Sequence, residues 1–347
     1  MGRMVLVSAL AIVLLASVCM ARTWHITPDG FGDLPTIQAA VDSAAEGDTL
    51  LLADGTYRGP GNRDVTVDKR LIIRSESDDP EACIIDCEGS SASPHRAFYI
   101  PFGTGLHSEL SGVSVVNGWD PSWGGAVHLH GPGADIRNCI FRYNYADMGG
   151  AVWVEDYRGG PSLISECAFI GNSAGSGSAV FANYWPTHVI IEHSLFARNS
   201  AISGTIVIMA ERFPEIVVEI NNCTMVDNSG RYSAVRNMTF DPYSCVIRNS
   251  IIAYGTGEYQ PVNDCRVQCS AFYENQPYPD WLPAGDGNFS ADPLFCDTLS
   301  GDFHLDCRSP CAPAQQPECG LIGAWDVGCG PSQTEPTSWG RIKSMYR

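Results

Sequence analysis

The sequence predicts an all-β chain wound as a coil of parallel strands, and three observations carry that prediction. The first is a repeat of about 28 residues. Asn138-Cys139-Ile140-Phe141 recurs as Glu166-Cys167-Ala168-Phe169, His193-Ser194-Leu195-Phe196, Asn222-Cys223-Thr224-Met225 and Asn249-Ser250-Ile251-Ile252, at steps of 28, 27, 29 and 27 residues. The second is an asparagine three residues after the large apolar residue in four of these sets: Asn144, Asn172, Asn199 and Asn228. The third is that every repeat holds three short apolar runs bounded by turn residues, while no stretch in the repeats sustains helical spacing. Periods of this size mean stacked units that bury a shared core.

The elements follow in chain order. Arg3, the apolar run from Val5 to Val18 and small residues up to Ala21 have the layout of a secretory signal peptide, with cleavage expected after Ala21 and a lipid anchor at Cys19 as the alternative. That run is short for a membrane span, and no second apolar span follows it. Pro35 to Ala45 reads as an amphipathic helix with Ile37, Ala40, Val41 and Ala44 on one face. A helix there would cover the bare β-edge at the start of the stack. In each coil the Cys/Ser-x-Phe run is one strand. A second strand begins at a small-residue pair: Gly124-Gly125, Gly149-Gly150, Gly177-Ser178, Gly204-Thr205. A third reads Asp135-Ile136-Arg137, Leu163-Ile164-Ser165, Val189-Ile190-Ile191, Val217 to Ile220 and Val246-Ile247-Arg248. Stacking at about 4.8 Å would then build ladders of Phe141, Phe169, Phe196 and Met225, and of the asparagines. The asparagines suit sharp bends, since their side chains bond nearby backbone and tolerate left-handed conformations. Weaker copies extend the coil to Val113-Ser114-Val115 and to Ser270-Ala271-Phe272. The Cys- and Pro-rich stretch of about 292–329 is expected to close the far end, giving one domain over 22–329. A flexible, basic tail follows at 330–347.

Several segments carry a family resemblance. Asp29-Gly30-Phe31-Gly32-Asp33-Leu34-Pro35-Thr36-Ile37-Gln38-Ala39-Ala40, with Gly47-Asp48-Thr49 and Gly55-Thr56-Tyr57, is similar to the start of many right-handed parallel β-helix proteins of pectin-lyase-like fold, pectin esterases among them. The Gly-Gly-Ala-Val and Phe-x-x-Asn elements resemble repeats of polymorphic outer-membrane proteins. Ala291-Asp292-Pro293-Leu294-Phe295, Gly301-Asp302-Phe303-His304-Leu305 and Ser309-Pro310-Cys311 resemble the ending of secreted bacterial β-helix repeats. The resemblance spans roughly residues 23 to 329 and implies a right-handed parallel β-helix of three strands per coil. It implies no particular chemistry.

The formal net charge is −18, or −19 once Arg3 leaves with the leader, and Lys69 and Lys343 are the two lysines of the chain. Such a surface argues against nucleic acid and anionic membranes as partners, and against a strongly anionic polysaccharide unless calcium bridges the two. Fourteen cysteines with an export signal point to disulfides. Cys139, Cys167 and Cys223 are exceptions. In one inward register their Cβ vectors run parallel about 4.8 Å apart, where a disulfide wants roughly 3.8 Å and converging vectors. They read as a buried thiol ladder interchangeable with Ser194 and Ser250. Of the remaining cysteines beyond Cys19, Cys83/Cys87 and Cys265/Cys269 are local pairing candidates, and the rest crowd the C-terminal cap. A zinc site at those C-x3-C spacings is the rival reading, and partner histidines at matching intervals are missing.

The residue sets of pectin esterases, polygalacturonases and lyases are not found. His128-Leu129-His130-Gly131 does not match a Gly-His-Gly, the Arg341-Ile342-Lys343 motif lies in the tail, and the coils carry no lysine. His128, His130, His188 and His193 show no common register and read as surface or turn residues. One exterior pattern stands out: each coil's second strand leads into a loop ending in an aromatic residue and a proline. These loops supply Tyr157, Tyr184 and Trp185, Phe213, and Phe240 with Tyr243; Trp119, Trp123 and Trp153 fall close to them in the pattern. A row of aromatic rings interspersed with carboxylates and an arginine is what sugar chains bind. Trp153, Tyr157, Tyr184, Trp185, Phe213 and Tyr243 are therefore the candidate ligand contacts. Glu155, Asp156 and Arg212 are the candidate acid, base or charge-stabilising groups. The competing reading is that these turns simply pack over the coil.

The expectation is a secreted or cell-surface protein, monomeric, whose partner is a polysaccharide or surface glycan. No specific metal or cofactor motif is present, and calcium is the one ion the acidic surface leaves open. The alternatives are a polysaccharide lyase or glycoside hydrolase with a non-standard site on the same face, and a purely structural or adhesive repeat.

Overall fold

The computed structural model describes residues 21–101, 107–131, 133–155, 161–183, 188–209, 217–239 and 241–330. One coil shows how the chain runs. Ala134–Arg137 lies in a first sheet, Ile140–Arg142 in a second, Tyr145–Met148 in a short extra ladder and Val152–Glu155 in a third sheet. The first and second sheets hold ten strands each, the third eight and the short ladder four. Pairing between coils is parallel and keeps equivalent residues opposite one another. The molecule is a parallel β-helix.

Each sheet contributes one inward ladder. In the first it runs Leu50, Ile73, Leu110, Ile136, Ile164, Ile191, Ile220, Ile247. In the third it is mostly valine: Val127, Val152, Val180, Ile206, Val235. The second holds the predicted aromatic ladder, with Phe141 and Phe169 stacked at 5.0 Å and Phe169 and Phe196 at 4.9 Å between centroids. All three ladders are buried in one core. Rings spaced this way use strand stacking to fill their part of the lumen.

The corners explain the two repeated spacings. The asparagine ladder is buried, and each Nδ2 donates to the next Oδ1 at 3.0 Å, from Asn144 through Asn172 and Asn199 to Asn228. Each Oδ1 also accepts the backbone N–H of the asparagine below it, at 3.0, 3.0 and 2.9 Å. The left-handed bend expected at these asparagines falls one residue earlier: Tyr143 (φ 57°), Gly171 (62°), Arg198 (57°) and Asp227 (53°). A side chain that must reach the neighbouring coil cannot also fold back on its own turn, so the residue before it absorbs the strained backbone. The other corner of the second sheet places Asn138, Glu166, His193, Asn222 and Asn249 in the same region, φ 48–54°.

The thiol ladder exists as expected. Cys139, Cys167 and Cys223 are buried and free, and Ser194 and Ser250 accept the N–H of Cys167 and Cys223 at 3.1 Å in the same register. Burial pushes the Cys223 thiol up to about 12. The local pairs do not form. Cys83 and Cys87 sit at one strand and its end, four residues apart in extended chain, out of disulfide reach. Cys265 is free and lies beside Cys245 of the preceding coil. Among the described residues the bonds present are Cys269–Cys319 and Cys296–Cys329, so cysteines of the last coil and the C-terminal element are bridged rather than near neighbours.

The helix Ile37–Ser43 covers the start of the coil and buries Ile37, Ala40 and Val41. Thr36 is its N-cap, with Oγ1 accepting from Ala39 N at 3.2 Å. At the other end Trp281 meets Phe272, the last aromatic of the inward ladder, edge to face at 5.4 Å. The Cys-rich element beyond it runs back along the outside of the second sheet. Phe303, Ala324 and Trp325 pack on Ile140, Ala168, Leu195 and Val226. Leu305, Cys311 and Ile322 pack on Ile251, Ala253 and Ala271. Gly323 N to Asn249 O (2.8 Å) and Ala324 N to Thr224 Oγ1 (3.0 Å) fasten it.

Candidate functional site

With the second sheet covered, two of the remaining outward faces carry clustered aromatic rings. The first candidate is the short extra ladder that follows the asparagines. Its strands are Trp119–Trp123, Tyr145–Met148, Ser173–Ser176 and Ser200–Ala201. The residue just after each buried asparagine or its equivalent points outward, so Trp119, Tyr145, Ser173 and Ser200 stand opposite one another. Isolated pairings continue the row through Ser229, Thr256 and Gln276. Trp119 and Tyr145 stack at 5.2 Å with an 18° tilt. On its other side Tyr145 meets a rung bearing Ser173, so among the described residues the ring has no aromatic neighbour there. Asp147 lies over Gly175 on the same two rungs; a Cβ at Gly175 would come within 2.5 Å of its Oδ1.

The second candidate is the outer face of the third sheet, which Trp119–Trp123 joins to the first. Here Tyr99, His128, Trp153, Phe181, Val207 and Arg236 form one outward ladder. Arg96 Nη2 pairs with Asp120, and Arg96 Nη1 donates to His128 Nδ1 at 2.9 Å. Asp120 Oδ1 also accepts from Ser122 N and Trp123 N, both at 2.8 Å, which fixes the turn that presents Trp123. His128 is buried, and burial together with the adjacent Arg96 cation and His130 pulls its pKa down to about 3. Since an arginine can only donate, Nδ1 is the acceptor and the proton sits on Nε2. That Nε2 is buried with no hydrogen-bond partner among the described residues, edge-on to Trp123 (centroids at 6.0 Å) and Trp153 (6.2 Å). The reading of His128 as an unregistered surface residue is corrected: it occupies a ladder position between Tyr99 and Trp153.

Trp153 is 2 % exposed and stacks on Phe181 at 4.8 Å, so its ring is packed inside this layer. Trp123, at 44 %, is the accessible indole of the cluster. Glu155 ends the same strand as Trp153, its Oε2 3.9 Å from His130 Nε2. Tyr243 is 66 % exposed, with the Arg266 guanidinium 5.1 Å from its ring centroid. Asp156, Tyr157, Tyr184, Trp185, Arg212 and Phe213 lie outside the described residues. The structure thus brings Trp119, Trp123, Tyr145, Arg96, Asp120 and His128 together. Of these, Tyr145, Arg96 and Asp120 were not singled out from sequence, although Tyr145 and Ser173 each follow a ladder asparagine directly and that offset was readable.

The sequence matches no protein-family model and no curated protein. Among solved structures, pectate lyase Pel9A is similar over 90 % of this chain and 98 % of its own, at 14 % identity and a TM-score of 0.46. The PL6-family alginate lyase AlyGC is similar over 90 % of this chain and 59 % of its own, at 12 % identity and a TM-score of 0.23.

Proposed function

We propose that this is an exported β-helix protein that binds polysaccharide along the ladder of Trp119, Tyr145, Ser173 and Ser200. The observation that carries the reading is the stacked Trp119–Tyr145 pair followed, on the next rungs, by small hydroxyl side chains. An aromatic face serves the apolar face of a pyranose, and evenly spaced hydroxyls serve its substituents. Trp123 at the rim and the loop residues Tyr157, Tyr184, Trp185, Phe213 and Tyr243 are proposed as flanking contacts. Glu155, Asp156 and Arg212 are the groups a lyase or hydrolase reading would require. Two disulfides accord with an oxidising compartment, and among the described residues no helix is long and apolar enough to cross a membrane.

Retention on immobilised neutral and acidic polysaccharides tests the proposal, read together with the appearance of new reducing or unsaturated ends. Tyr145→Ala is expected to weaken retention about tenfold, the loss of roughly 1.4 kcal/mol. A Tyr157→Ala/Trp185→Ala variant reports on the loop row separately. Retention untouched by Tyr145→Ala would remove the ladder from the site, and new chain ends would favour the lyase or hydrolase.

A further inference from the structure

The loop between the strands Cys83–Asp86 and Phe98–Ile100 builds, with Asp64, a second constellation that borders the aromatic ladder at Trp119. Ser93 Oγ lies 2.9 Å from His95 Nε2, and His95 Nδ1 lies 2.6 Å from Asp64 Oδ2. A hydroxyl on Nε2 and a carboxylate on Nδ1 is the arrangement that activates a serine nucleophile. With the Nδ1 proton held by Asp64, the neutral ring presents Nε2 as the acceptor for the Ser93 hydroxyl.

Each member is positioned by backbone contacts. Asp64 adopts a left-handed backbone, φ 56°. Its N–H donates to Arg96 O at 2.7 Å, and its Oδ1 accepts from Arg96 N at 3.1 Å. Such a conformation in a non-glycine residue persists only where neighbours impose it. His95 exchanges both backbone hydrogen bonds with Trp119, at 2.9 and 2.7 Å. Gly89 N donates to Asn117 O at 2.8 Å, and a Cβ there would come within 2.7 Å of Trp119 N, so the loop docks this closely only with glycine. Ser90 and Ser93 close a tight turn through paired backbone bonds of 2.9 and 3.1 Å. The Ser91 and Ala92 amides at its tip have no partner among the described residues. The side chains of His95 and Asp64 are 22 % and 49 % exposed, and Ser93 is exposed. A mere brace needs only the hydrogen bond between His95 and Asp64; the exposed hydroxyl on the far nitrogen adds a reactive end.

We propose that Ser93, His95 and Asp64 form an esterolytic triad that removes small acyl groups from sugar hydroxyls. Ser93 Oγ bonds to the ester carbonyl carbon while its proton passes to His95 Nε2, and Asp64 stabilises the resulting imidazolium. The bond from carbonyl carbon to sugar oxygen breaks, and that oxygen takes the proton from His95. Water then attacks acyl-Ser93, giving its proton to His95, which returns it to Ser93 Oγ as the carboxylic acid leaves. An ester fits better than an amide, because the triad stands in partly open water where charge stabilisation is weak and an alkoxide leaves more readily than an amine. The sugar part of the substrate rests on the polysaccharide reading, through the shared residue Trp119; the esterolysis itself does not.

The experiment uses the full mature chain with p-nitrophenyl acetate, a fluorophosphonate label located by mass spectrometry, and an O-acetylated polysaccharide. The expected result is labelling at Ser93, with hydrolysis lost about 100-fold or more in Ser93→Ala and in His95→Gln. Asp64→Asn is expected to lower the rate while leaving Ser93 and His95 in place. Thermal unfolding of each variant separates loss of chemistry from loss of fold. Hydrolysis unchanged in Ser93→Ala, or a label placed elsewhere, overturns the triad. Small-ester turnover without acetate release from the polysaccharide leaves the triad standing and overturns the sugar substrate.

Discussion

A histidine that accepts a hydrogen bond from an arginine is held neutral by that contact, and at His128 this makes the stability of the folded state depend on pH. Its ring faces the Arg96 cation, His130 and the Arg96-bound Asp120, with Trp123 and Trp153 around it. Its pKa falls to about 3 in the native protein, against about 6.5 in the unfolded chain. Between those values the unfolded state binds a proton that the native state refuses. The contribution to stability is therefore complete above about pH 6.5 and shrinks as pH falls towards 3. The denaturation midpoint is expected to drop between pH 6.5 and 4.5, and His128→Gln, which can still accept from Arg96, is expected to show a shallower drop. Equal slopes in urea titrations of the two proteins would remove His128 as the cause. Nothing in the sequence marks this residue, because its neighbours come from positions 96, 120 and 153, on three other segments of the chain. The asparagine ladder is the opposite case. Asn144, Asn172, Asn199 and Asn228 repeat at the coil period, so their stacking was legible. The finer point, that Tyr143 and Arg198 rather than the asparagines bend left-handed, depends on which group each amide reaches.

At the scale of elements, the second sheet separates local from distant information most sharply. Its strands read Ile140-Phe141, Ala168-Phe169-Ile170 and Leu195-Phe196-Ala197, apolar at successive positions, which is the pattern of a strand buried on both faces. The inward Phe ladder was legible from that pattern. The covering element was not, because Phe303, Ile322 and Trp325 meet it only after the chain has completed all its coils. The cysteine pairing escaped for the same reason: Cys269 and Cys319 are 50 residues apart, Cys296 and Cys329 are 33 apart, and spacing alone favours near neighbours. Loops of these lengths give each bond about 4 kcal/mol in a chain-entropy estimate, an upper figure where native strain intervenes. Reduction is therefore expected to release the C-terminal element before the coils unfold. In guanidinium titrations with reductant, Trp325 fluorescence should change at a lower midpoint than the far-ultraviolet signal of the sheets. A single coincident transition would show that element and coil unfold as one unit. The buried Cys139, Cys167 and Cys223 are insensitive to the same treatment, being thiols already.

For the whole molecule, charge decides which polysaccharides can approach. The net charge is −18, and the arginines of the coils do little to offset it locally. Arg58, Arg63, Arg96, Arg137, Arg142 and Arg248 each face a carboxylate: Asp86, Glu88, Asp120, Asp135, Glu81 and Glu219. Cations already matched in this way leave the long-range field negative. A neutral or O-acylated chain meets no electrostatic barrier, whereas a polyuronate is repelled over the Debye length, about 30 Å at 0.01 M salt and 8 Å at 0.15 M. Retention of a neutral polysaccharide is thus expected to be the same at both ionic strengths. Retention of a polyuronate is expected to be absent at 0.01 M and to emerge only as salt is raised or calcium is added. The opposite order, a polyuronate held best at low salt, would require a basic groove formed by arginines outside the pairs named above. In that case the binding face would have to be sought away from the Trp119–Tyr145 ladder, where Asp147 adds negative charge.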